Sequence, residues 1–123
     1  LGTQGTYLHG KENGRWTYYY ETGERWRTGD YRNGKREGVW TTYYESGSKL
    51  HEGPYEDGKE EGRWTAWYED GTVDYFGDFE DGMKEGEWVF IVETSLSAGG
   101  KALKQSVIVH SKPVPIVSAR KLG

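Results

Sequence analysis

Aromatic and β-branched residues alternate with polar ones in short runs, and the runs recur every 24 residues. Trp16, Trp40, Trp64 and Trp88 fall in one column, and Gly14, Gly38, Gly62 and Gly86 in another. Tyr20, Tyr44 and Tyr68 are followed by Gly23, Gly47 and Gly71. Gly29, Gly53 and Gly77 precede Tyr31, Tyr55 and Phe79, and the row closes on Asn33-Gly34, Asp57-Gly58 and Asp81-Gly82. Gly5, Tyr7 and Gly10 match the second half of a row. The chain therefore reads as three full repeats (14–37, 38–61, 62–85) between half-repeats at 1–13 and 86–93. A fixed period in this range marks an array whose units bury their faces on one another.

Each unit predicts two strands and two turns. Arg15–Tyr20 is aromatic and β-branched, which favours strand. Thr22-Gly23 fits a type I turn with the glycine left-handed, and Asn33-Gly34 is a hairpin signal. Helical periodicity is absent. The expected fold is all-β: an elongated antiparallel meander of tandem hairpins forming one twisted sheet. Alternation puts Trp16, Tyr18 and Tyr20 on one face, with Trp40, Thr42, Tyr44 and Trp64, Ala66, Tyr68 after them. The unvarying tryptophan column makes this the packed face, with the recurring glycines beneath the rings. A two-residue turn would set Trp16 opposite Gly29 and a three-residue turn opposite Thr28, so the register stays open.

Functional variation is expected where the columns change between units. On the second strand these are Arg25, Lys49, Val73; then Trp26, Leu50, Asp74; then Arg27, His51, Tyr75. Tyr19, Tyr43 and Trp67 form an aromatic row on the face opposite the tryptophans. With flanking charge, such rings supply binding hot spots, or they stack to hold the sheet together. The expected partner-binding set is Tyr19, Tyr43, Trp67, Arg25, Trp26, Lys49, Leu50, Arg27, His51 and Tyr75.

Composition narrows the chemistry. Of 123 residues, 19 are glycine and 19 aromatic, so rings rather than aliphatic side chains must supply the core. Cysteine is absent, which removes disulfides and thiolate chemistry. Glu21, Glu45, Glu69 and Glu93 recur once per unit, whereas an active site is built once, so they read as a solvated rim and no enzyme is expected. His9, His51 and His110 lack ligand spacing, and there is no calcium loop or phosphate loop. No metal or other cofactor is expected.

Residues 1–93 hold all 20 acidic residues and 11 of the 16 basic ones, a net of −9. That charge argues against nucleic acid and disfavours anionic membranes. Residues 94–123 carry five basic residues, no acid and no aromatic. Ser106–His110 is expected to pair with Trp88–Glu93 through a loop around Gly99-Gly100, capping the array. Pro113–Leu122 alternatively forms a basic segment that docks on an acidic partner or a neighbouring copy. The domains expected are thus 1–93, the array, and 94–123, a cap or tail. The chain starts at Leu1 rather than Met, as a processed or trimmed chain would. No apolar run approaches a membrane-spanning length of ~20 residues.

The pattern Tyr31-x-Asn33-Gly34-Lys35-x-x-Gly38-x-Trp40-x-x-Tyr43-Tyr44-x-x-Gly47 resembles the MORN repeat, closest to the bacterial variant found in antitoxin-type proteins. The resemblance covers roughly residues 1–93. It implies an elongated hairpin array that serves as a non-catalytic protein-interaction scaffold, of an antitoxin or immunity type. Lipid binding at a membrane periphery is the alternative it implies. Oligomers through the sheet edges or the tail fit the same architecture.

Overall fold

Strands begin and end where the sequence changes from aromatic or β-branched runs to glycine-containing turns. The computed structural model describes residues 2–96 and 102–110. Ten strands result: β1 (Gly2–Leu8), β2 (Lys11–Tyr19), β3 (Arg25–Arg32), β4 (Lys35–Tyr43), β5 (Lys49–Glu56), β6 (Lys59–Glu60), β7 (Gly62–Trp67), β8 (Val73–Glu80), β9 (Met83–Leu96) and β10 (Ala102–His110). They form one antiparallel sheet in the order β1-β2-β3-β4-β5-β7-β8-β9-β10, with the two-residue β6 paired to β5. This is the meander expected from the repeat. β6 and β7 occupy the place that β4 fills as one strand. Pro54 has no N–H to donate across, so the ladder breaks at Glu61, which still donates its own N–H to the Pro54 carbonyl at 3.0 Å.

Two kinds of turn alternate. At Tyr20–Glu24, the Gly23 N–H donates to Tyr20 O at 2.9 Å with Gly23 at φ +94°, the type I turn and left-handed glycine expected. Asn33 and Gly34 both have positive φ, 51° and 80°, the conformation that makes Asn-Gly and Asp-Gly tight hairpin turns. The Gly34 N–H reaches back to Glu12 O, Gly58 to Arg36 O and Gly82 to Glu60 O, tying each hairpin tip to the preceding unit.

The register resolves in an unexpected way. The loop holds three residues, yet Trp16 pairs with Gly29. Pairing shifts by one between Tyr18–Arg27 and Tyr19–Arg25, leaving Trp26 as a β-bulge that cancels the extra loop residue. The bulge recurs at Leu50 and Asp74, where pairing shifts between Thr42 and Tyr43 and between Ala66 and Trp67.

A second irregularity builds the core. Gly38 sits at φ +72°, and the pairing of β3 with β4 jumps between Thr28 and Asp30, skipping Gly29. The same shift occurs at Gly5 and Gly77. Each tryptophan ring thereby lies over the glycine of the preceding strand: Trp16 over Gly5, Trp40 over Gly29, Trp64 over Gly53, Trp88 over Gly77. Its indole N–H then donates to the next carbonyl, from Trp16 to Thr6 at 2.9 Å, Trp40 to Asp30 at 2.9 Å, Trp64 to Pro54 at 3.0 Å and Trp88 to Asp78 at 3.2 Å. Among the described residues, these four tryptophans and Ala66 are the buried hydrophobic ones. Tyr20, Tyr44 and Tyr68 complete the clasp, their hydroxyls donating to the carbonyls of Tyr43, Trp67 and Ile91 one unit on.

At the end of the array, Ser106 pairs with Ile91, Val107 with Phe90, Ile108 with Val89 and Val109 with Trp88. This is the expected pairing, although β9 continues beyond Glu93. The loop around Gly99-Gly100 and the Pro113–Leu122 segment lie outside the described residues.

Candidate functional site

The bulge at Trp26 decides which side chains share a face. Alternation alone would set Trp26 and Arg27 on opposite sides. The extra residue instead leaves both on the tryptophan face: the Trp26 ring meets Tyr18 at 6.1 Å and Tyr20 at 6.2 Å, and the Arg27 guanidinium lies over Tyr18 at 4.7 Å and Trp26 at 4.2 Å. Arg25 is left on the other side, 4.5 Å over the Tyr43 ring.

Cross-strand pairing then draws one row across the tryptophan face: Tyr18, Arg27, Thr42, His51, Ala66, Tyr75, Phe90 and Val107. Tyr18, Thr42, Ala66 and Phe90 are one repeat column, large at its ends and small in its middle. Thr42 lines a groove of about 620 Å³ on this face. Trp26, Tyr55, Phe79, Tyr75 and Phe90 supply its rings, with the core tryptophans Trp40, Trp64 and Trp88 in its lining. Arg27, Arg36, Lys84, Glu60 and His51 supply its ionisable groups, with Thr42 and Thr65 also in the lining.

The cations of this groove rest on rings instead of carboxylates. Arg36 lies 4.9 Å over Trp40 and donates to the Tyr55 hydroxyl at 3.0 Å; Lys84 lies 4.9 Å over Trp88. Among the described residues the ion pairs fall elsewhere. Arg15–Asp30, Lys49–Glu52 and Arg63–Asp78 sit on the opposite face, and Arg32–Glu37, Lys35–Asp57 and Lys59–Asp81 at the hairpin tips. Two atoms at the groove, Arg27 Nε and His51 Nδ1, are shut away from solvent without a hydrogen-bond partner. Burial pushes the His51 pKa down, favouring the neutral ring. Burial, then the hydrogen bond to the Tyr31 hydroxyl at 2.8 Å, pushes Tyr18 up to about 12.

The expected residues divide between the two faces. Trp26, Arg27, His51 and Tyr75 line the groove. Leu50 occupies the bulge of the second unit and is half-buried. Tyr19, Tyr43 and Trp67 lie on the opposite face in a ladder with the cations between them: Tyr19 pairs with Arg25, which covers Tyr43; Tyr43 pairs with Lys49, which lies 5.8 Å from Trp67. Sequence reading missed Thr42, Arg36 and Lys84. Their signal was present in two first-strand columns, Tyr18/Thr42/Ala66/Phe90, which changes size, and Glu12/Arg36/Glu60/Lys84, which changes sign.

The hairpin with its three-residue glycine turn is the recurring unit of this geometry. The MORN repeat variant matches the chain at residues 12–33 and again at 36–57. Each match spans one hairpin, β2–β3 or β4–β5. MORN repeats are in general protein- or membrane-binding modules, and the repeat is non-catalytic. No curated protein matches the chain. Among the described residues, no cluster of three or more His, Asp and Glu is placed to hold a metal ion, and no helix is long and apolar enough to cross a membrane.

Proposed function

We propose that the chain is a non-enzymatic protein-interaction module whose partner seats in the groove of the tryptophan face. The carrying observation is the column Tyr18, Thr42, Ala66, Phe90. Its middle members are small, and Thr42 lies among the aromatic walls of the groove at the place where the first unit carries the Tyr18 ring. Concave, ring-lined surfaces with few placed polar groups are where binding energy concentrates. In this reading Trp26, Arg27, Leu50, His51 and Tyr75 serve the partner. Tyr19, Tyr43 and Trp67, with Arg25 and Lys49, serve as a stacked seam on the other face, and β10 caps the array.

Thr42→Tyr copies the residue that the first unit already accommodates and fills the groove without disturbing a clasp. Peptide-display selection on the wild-type protein should enrich binders that lose the Thr42→Tyr variant, with circular dichroism unchanged. Binders that hold both proteins equally, or that depend on Tyr43 instead, would refute the groove reading. An antitoxin- or immunity-type role is the finer proposal, supported by the sequence resemblance. It requires that a groove-bound partner lose its own activity; a partner that stays active when bound leaves a scaffold.

A further inference from the structure

Acidic residues outnumber basic ones in this chain, 20 to 16, yet among the described residues the groove cations Arg27, Arg36 and Lys84 form no ion pair, although Glu60 shares the groove with them. Arg27 is the most constrained. Its guanidinium is held against Trp26 and Tyr18, and its Nε is closed off, so only its terminal nitrogens remain to donate. Two strands away, His51 has Nδ1 closed off in the same way, leaving Nε2 as the ring nitrogen open to a ligand. Between them the row holds only Thr42, a gap of about 10 Å, or two strand spacings. Arginine stacked on rings is already oriented for a planar, doubly accepting anion, and such bonds are about twice as strong as neutral ones.

Resting on the groove reading above, we infer that the groove recognises an extended acidic protein segment, with one carboxylate seated over Thr42 between Arg27 and His51. Arg36 flanks that end of the groove, and Lys84 offers a second carboxylate site at the other. Glu60 lies between the two ends and disfavours a third acid there. From β3 to β9 the groove crosses five strand spacings, about 24 Å, which seven or so extended residues span. The matching segment is therefore acidic at both ends and apolar or aromatic between. Glu60 also separates this groove from a phosphate track, which needs continuous positive charge.

The probe is an array of peptides of about nine residues, Asp or Glu at both ends and apolar or aromatic residues between, each beside its Asn or Gln counterpart. Acidic members should bind at least about tenfold more tightly than their amide counterparts, and more weakly as salt rises. Arg27→Gln should remove most of that preference, leaving the share that Lys84 supplies. Lys84→Gln, which takes a cation from above the Trp88 ring but removes none of the clasp's hydrogen bonds, should halve it or more, so the inference does not depend on one variant folding. Equal binding of acids and amides, still lost on Thr42→Tyr, overturns the carboxylate site while the groove reading stands. Binding of neither set, together with no groove-dependent binders from display, overturns both. Tighter, Arg27-dependent binding of an oligothymidylate or of phosphatidylserine vesicles would overturn the choice of a protein segment.

Discussion

Gly53→Ala adds a single methyl group to an extended residue of β5, and the geometry makes it a severe change. Gly53 has no positive φ, so alanine is acceptable to the backbone and by itself would stabilise the strand by about 0.5–1 kcal/mol. The new Cβ, however, would stand 2.1 Å from Cδ2 of Trp64, with Cε2 and Cγ both at 2.4 Å. No rotamer shift of a few tenths of an ångström relieves three contacts with one rigid ring. The indole must leave, exposing a side chain now only 7% accessible and giving up its hydrogen bond to Pro54 O. Losing a buried Trp costs about 3–5 kcal/mol and the hydrogen bond about 1, so a net loss of roughly 3–5 kcal/mol is expected after the alanine gain.

The assay is urea unfolding followed by far-ultraviolet circular dichroism, run as a cycle with Trp64→Ala. If alanine acts by evicting Trp64, the double variant should be no less stable than Trp64→Ala alone, giving a coupling at least as large as the Gly53→Ala loss itself. Gly71→Ala is the backbone control: its φ is +92° with open space around the Cβ, so it should cost only about 1–2 kcal/mol. Additive effects for Gly53 and Trp64, or a Gly53→Ala loss within about 0.5 kcal/mol of zero, would refute the ring-over-glycine core.

Tyr44→Phe removes the 2.7 Å bond to Trp67 O and should cost about 0.5–1.5 kcal/mol in the same assay, with faster amide exchange around Trp67. His51 has a pKa lowered by burial, so the unfolded chain takes up its proton first as pH falls below the ordinary value of 6.5. That part of the stability is whole at neutral pH and lost toward acid. His51→Gln should show a smaller drop in urea midpoint between about pH 7.5 and 5.5 than the wild type. Tyr18, with its pKa raised to about 12, favours the native state until base removes its proton. Stability should fall between about pH 10 and 12, and Tyr18→Phe should remove one late-titrating group from the tyrosinate absorbance.

Much of the fold was legible because its signals are repeated and chemical. Asn-Gly and Thr-Gly name their turns through backbone conformation, and four tryptophans in step with glycines name a packed face. Ser106–His110 reads as a strand because its centre is β-branched. The bulges were not legible. Trp26, Leu50 and Asp74 share no side-chain property, since a bulge is a backbone event that any residue can occupy. Counting by twos through that position assigns Trp26 and Arg27 to opposite sides, whereas the bulge puts both on the tryptophan face and Arg25 on the other. The direction in which each tryptophan leans was hidden as well: pairing sets Trp16 beside Gly29, while the ring covers Gly5 on its other flank.

Net charge hides the local arrangement for a related reason. A net of −9 over residues 1–93 describes the average surface, but pairing consumes charge unevenly. The tips and the opposite face hold the ion pairs, so the groove keeps its cations with their carboxylate partners elsewhere. This segregation is available to the fold because each inter-unit clasp ends on a backbone carbonyl. Trp64 holds Pro54 O, Tyr44 holds Trp67 O and the Gly58 N–H holds Arg36 O. A carbonyl is present whatever side chain its residue carries. Positions 36, 60 and 84 can therefore read Arg, Glu and Lys, and positions 42 and 66 can shrink to Thr and Ala, without loosening the joints between units. Stability resides in columns that bond to the main chain, and in the columns between them the sequence is free to set both the depth of the groove and its charge.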